Sequence, residues 1–202
     1  MLNTEDRSVK NKIGELSITT SNHNVDYACV TESWLNNDIS DEPISIDGYQ
    51  IARRDRTISK GGGGLCYIRN TSPYIIWNDH DEAFETLWII LRPPRMPCRF
   101  THITISAINF PPRDEVGHML AHIHNYMDHI RRKHPHTGIF IVGDLNHLSD
   151  SELKRSYSLK QIVTRATLTR YRTRSLRMCT NSTRIQLYQV QGRIQNCLTR
   201  GV

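Results

Sequence analysis

At 202 residues and 38% hydrophobic content, the chain is long enough for one α/β domain with a real core and too short for two. No apolar run approaches membrane-spanning length, so a soluble protein with no membrane partner is expected. The net charge of +6 is unevenly held: residues 165–202 carry eight arginines and no Asp, Glu or Lys, and subtracting the tail's +8 leaves −2 for residues 1–164. A basic nucleic-acid binder is one reading of this balance. The favoured one is an almost neutral domain, residues 1–164, followed by a diverged arginine-rich tail, 165–202, whose order or disorder the sequence leaves open.

The start, Met1-Leu2-Asn3-Thr4-Glu5-Asp6-Arg7, is polar and acidic, unlike a secretory signal. Five scattered cysteines, never spaced as Cys-x-x-Cys, read as reduced thiols of an intracellular protein, nuclear or cytoplasmic. A monomer is expected.

Val9, Ile13, Leu16 and Thr20 recur at helical spacing and predict a helix over residues 8–21. Asp26–Thr31 reads as a short interior strand, 36–43 as polar turn material, and Gly48–Arg53 as a strand. The run Gly61–Gly64 follows Lys60, the reverse order of a phosphate-binding loop. It reads as a flexible turn feeding Leu65-Cys66-Tyr67-Ile68-Arg69. Thr86–Leu91 and Thr101–Ile108 have the β-branched and aromatic character of strands.

The clearest element is a helix over 114–133. Val116, Met119, Leu120, Ile123, Met127 and Ile130 fall on one stripe. Asp114 is the expected N-cap, and Arg131-Arg132-Lys133 suit the negative end of the helix dipole. His118, His122 and His129 share a face at spacings that suit zinc, but no Glu or Cys completes a ligand set. They are read as a solvated histidine-rich surface. Ile139-Phe140-Ile141-Val142 closes the ordered pattern as a buried strand.

Two motifs carry the chemistry. Val30-Thr31-Glu32-Ser33-Trp34-Leu35 ends one apolar strand, and Gly143-Asp144-Leu145-Asn146 ends another about 110 residues later. Acidic and amide side chains at strand ends can converge on a metal ion and a phosphate. Gly-Asp-x-Asn alone is a weak motif, since such sequences also arise for turn reasons. Arg53-Arg54-Asp55-Arg56, a spacer, the glycines and Tyr67-Ile68 add a third segment.

Together these segments resemble the endonuclease/exonuclease/phosphatase family, and within it the endonuclease domain of non-LTR retrotransposons. The resemblance spans about residues 8–164. It implies an α/β four-layer sandwich: two mixed β-sheets packed face to face with helices outside, here lacking two terminal strands of the second sheet. It implies DNA as partner and Mg²⁺ as cofactor, with Mn²⁺ as the alternative ion. By resemblance Glu32 binds the metal, Asn3 joins it, Asp144 orients the attacking water and Asn146 holds the scissile phosphate. Arg54 and Arg56 would contact the phosphate backbone, or else belong to a solvated, salt-paired turn.

The sequence departs from the family pattern in three places. Asn109 stands where the family has a tyrosine, and Arg177 where it has an aspartate, in Leu176-Arg177-Met178-Cys179-Thr180-Asn181. The terminal Ser-Asp-His strand has no counterpart, because no Asp, Glu or His follows Glu152. Loss of that transition-state stabiliser would cost orders of magnitude in rate. Three readings follow: a Mg²⁺-dependent DNA endonuclease, an inactive remnant that still binds metal or nucleic acid, or a phosphatase acting on a soluble phosphoester.

Overall fold

The computed structural model describes residues 8–56, 62–77, 84–94, 96, 100–110 and 115–145, and the backbone of 175–180 and 183–191. A 3₁₀ turn, Val9–Lys12, runs into helix α1, Ile13–Asn22. The strands are β1 Tyr27–Thr31, β2 Tyr49–Arg54, β3 Gly64–Arg69, β4 Tyr74–Ile76, β5 Glu85–Leu91 and β6 His102–Asn109. Helix α2, Val116–Lys133, leads to β7 Thr137–Asp144, then β8 Ser175–Thr180 and β9 Thr183–Gln191. Among the described residues, no helix is long and apolar enough to cross a membrane.

The strands form two sheets. One has the order β2-β3-β1-β9-β8 and the other β4-β5-β6-β7. The pairs β1/β9 and β6/β7 are parallel and the rest antiparallel, so both sheets are mixed. Helix α2 makes the crossover between β6 and β7, the length of connection that parallel neighbours require.

Side-chain alternation sorts the apolar residues into three layers. Tyr27, Cys29, Cys66, Ile68, Leu87, Ile89, Ile105 and Val142 meet between the sheets. Trp88, Ile90, Ile139 and Ile141 face α2, which supplies Met119, Ile123, Met127 and Ile130. Ala28, Val30, Leu65 and Tyr67 face the other way, against Val9 and Leu16. The order is helix, sheet, sheet, helix. Each fully buried aliphatic side chain contributes about 1.5–3 kcal/mol on leaving water, so α2 is held by its stripe.

In the sheet containing β1, the backbone of β9 pairs with β1, Tyr27 opposite Leu187 through Thr31 opposite Gln191. Strands β8 and β9 form a hairpin, and β8 contains Arg177. Helix α2 is capped by Glu115, not Asp114, with no side-chain cap bond. His122 is buried rather than solvated: it lies between Met119 and Tyr126 on the core side, with Nε2 3.0 Å from Thr86 Oγ1 and its ring against Phe84 and Tyr126. His118 and His129 are exposed. Gly62 and Gly63, finally, are buried and tightly packed, not a loose turn.

Candidate active site

The inward-facing rows of the second sheet change character at one rim. Leu87, Ala107 and Val142 line the apolar space between the sheets. One period of two residues further toward the rim, the same rows carry Glu85, Asn109 and Asp144. The register sets Glu85 opposite Asn109 and Asn109 beside Asp144. Asn109, 7% exposed, donates Nδ2–H to Glu85 Oε2 at 2.8 Å. The other oxygen of Glu85 touches the Arg56 guanidinium.

Asp144 is held by its backbone as well. The Phe110 N–H donates to the Asp144 carbonyl at 2.8 Å. Gly143, at φ +137°, precedes it where an added Cβ would stand 1.8 Å from the Ile108 carbonyl oxygen. Only glycine lets β7 come this close to β6 just before the aspartate.

Strand β1 brings the first sheet to the same rim. Thr31, its last residue, is 1% exposed, and its hydroxyl has no hydrogen-bond partner among the described residues. Glu32 then leaves the strand in a left-handed conformation, φ +56°, which Trp34 repeats. That conformation costs a non-glycine residue about 1–2 kcal/mol and must be held from outside. The Ser33 N–H donates to the Gly63 carbonyl at 3.3 Å and the Trp34 N–H to that of Gly62 at 3.0 Å. From the other side, the Val9 N–H donates to the Ser33 carbonyl at 3.1 Å.

Gly62 and Gly63 join the two sheets. A Cβ on Gly62 would lie 2.6 Å from the Arg56 guanidinium and from Glu85 Oε2, and one on Gly63 2.8 Å from Ser33 Oγ. Both have positive φ. The segment after Glu32 thus meets Gly62 and Gly63, Gly62 packs on Glu85, and Asn109 pairs in register with Asp144, Glu32 and Asp144 both being half-buried. Arg54 lies in the same neighbourhood and donates Nη1–H to the Thr86 carbonyl at 3.0 Å. Both arginines therefore have partners inside the fold. Beside them the largely buried Asp55 carboxylate lies 3.5 Å from Arg53, and burial raises its pKa above the ordinary carboxylate value.

Asn146 and Asn3 lie outside the described residues. Glu85 escaped the sequence reading, though a signal existed: in Glu-Thr-Leu-Trp-Ile-Ile-Leu it holds the same phase as the inward-facing leucines. Among the described residues, no three His, Cys, Asp or Glu side chains cluster as a closed metal cage. The rim offers carboxylate oxygens from Glu32 and Asp144 and the orphaned Thr31 hydroxyl. Those hard donors fit Mg²⁺, which takes one or two carboxylates and fills its shell with water and substrate oxygens.

No protein-family model matches the chain, and no curated protein matches its sequence. Solved structures do match in fold. The catalytic domain of human Nocturnin, determined with a bound sulfate anion, is 13% identical with a TM-score of 0.50, covering 74% of this chain and 62% of that one. Truncated TDP2 of Caenorhabditis elegans is 16% identical with a TM-score of 0.46, covering 72% of this chain and 59% of that one. This chain thus spans about three fifths of the length of either. The likeness to the Nocturnin domain establishes a shared α/β fold of two sheets with flanking helices.

Proposed function

We propose that the chain derives from a Mg²⁺-dependent nuclease that hydrolyses DNA phosphodiester bonds, of the type found in non-LTR retrotransposons. One observation carries the reading. The inter-sheet core turns polar at a single rim, where Glu32 from one sheet and Asp144 from the other are held by backbone geometry that only their glycine neighbours permit.

In this reading Glu32 holds the metal, with Asn3 beside it, and Asp144 orients the attacking water and takes its proton. Asn146 donates its amide to a phosphate oxygen and stabilises the charge that develops there. Bound Mg²⁺ supplies charge neutralisation of the phosphate oxygens. Arg54 and Arg56 face the phosphate backbone, and a phosphate reaching Arg56 competes with Glu85. Nucleic acid as substrate class rests on the family resemblance of the segments around Glu32, Asp144 and Arg53–Arg69.

A second reading, a remnant that binds without turnover, has its own support. The Asn109 amide is committed to Glu85 and is not turned to a substrate phosphate. Nicking of supercoiled plasmid in Mg²⁺ separates the two. Nicking abolished by Glu32→Ala and by Asp144→Ala supports the working enzyme. Intact plasmid after incubation with folded protein rules it out and leaves binding.

A further inference from the structure

We infer that the end of the second sheet remote from Asp144 carries a binding site for the phosphate group of a nucleotide, independent of the nuclease reading. A cleft of about 600 Å³ opens there. Arg92 follows β5, His102 opens β6, Lys133 and His134 close α2, and His136 precedes β7, so the α2 crossover gathers all five at one sheet end. No Asp or Glu is among the lining residues. Phe100, over Gly138, and Met96 with three prolines supply an apolar wall. Cations on one side and a flat apolar wall on the other are what a phosphate joined to an aromatic base requires.

The site is distinct from the candidate active site. His102 and Asn109 are the two ends of β6, seven residues apart, which puts about 23 Å between the cleft and the acidic rim.

The cations are crowded. The rings of His102 and His134 have centroids 4.6 Å apart, and Lys133 Nζ lies 4.7 Å from the centroid of Trp77. Burial, then His134 and Arg92, hold the His102 pKa below its ordinary value. The C-terminus of α2 offsets roughly half a charge. Arg92 and Lys133 exceed that before either histidine is protonated. A bound phosphate dianion would complete the balance, and each histidine that gains a proton would strengthen it.

Calorimetric titration of the full chain with deoxyadenosine monophosphate, inorganic phosphate and a short oligodeoxyadenylate tests this. The mononucleotide is expected to bind, to tighten as the pH falls from about 7.5 to about 6, and to weaken about tenfold or more in Arg92→Ala/Lys133→Ala. Glu32→Ala and Asp144→Ala should leave it unchanged. Tighter binding of the oligomer than of its monomer would identify a strand as the source of the phosphate, and equal binding a free nucleotide; either supports the site. Absence of binding heat, affinity unmoved by pH, or binding lost in Asp144→Ala but kept in the double variant would overturn it.

Discussion

Replacing Gly143 by alanine is the sharpest test of how the rim is built. The added Cβ would sit 1.8 Å from the Ile108 carbonyl oxygen, and that oxygen belongs to the backbone of β6, which cannot rotate away. The φ of +137° adds strain of about 1–3 kcal/mol for a residue with a Cβ. Forcing two paired strands apart adds about 1–3 kcal/mol, as overpacking does. The sum centres near 4 kcal/mol, a large share of the roughly 5–15 kcal/mol that holds a domain together. At this chain length it lowers Tm by about 8–16 °C. Gly138, on the same strand, is the control: its Cβ would meet only Phe100, at 3.6–3.8 Å, an ordinary contact. Gly138→Ala should cost less than about 1 kcal/mol. Urea unfolding followed by tryptophan fluorescence reports both, since Trp88 is buried and stacked on Tyr126. Equal costs at the two glycines would refute the close-approach argument.

Glu85→Ala strips Arg56 and Asn109 of a shared partner; after discounting for partial exposure it should cost about 1–3 kcal/mol by the same urea assay. A variant as stable as the parent would show that the cluster contributes nothing. Because the folded pKa of His102 lies below its unfolded value, the unfolded chain binds the proton more tightly, and stability falls as pH drops below about 6.5. The loss between pH 7.5 and 5.5 should shrink in His102→Asn, and an identical loss in both proteins would count against it. Cys29 and Cys66 are fully buried thiols with sulfurs 3.2 Å apart, and Cys29 together with burial pushes the Cys66 thiol well up. Iodoacetamide should leave both unmodified in the native protein and alkylate both in concentrated guanidinium. Native labelling would contradict that burial.

What the sequence revealed was local. The α2 stripe and the alternating Leu87-Trp88-Ile89-Ile90 are periodicities visible within a window of a few turns or residues, and the structure has both. His122 was misread because it lies at the margin of the stripe, where one angular step separates solvent from Phe84 and Tyr126. The glycines looked loose because nothing nearby in sequence reveals that Glu85, more than 20 residues on, packs against them. The motifs around Glu32 and Asp144 single out both residues as candidates, whereas the Glu85–Asn109 bond depends on strand register, which no motif carries. The pairing of β1 with β9 was missed for the same reason.

That last pairing has a consequence in time. Tyr27 and its partner Leu187 are 160 residues apart, and β1 lies between β3 and β9. A ribosome adding about 5–20 residues per second needs about 8–32 s to deliver β9 after β1 has emerged. Throughout that interval one edge of the strand leading into Glu32 has no β9 to pair with, although β3 is made early in it. The sheet that carries Glu32 is therefore completed only after β9 has been made, and until then its unpaired edge is open to other strands.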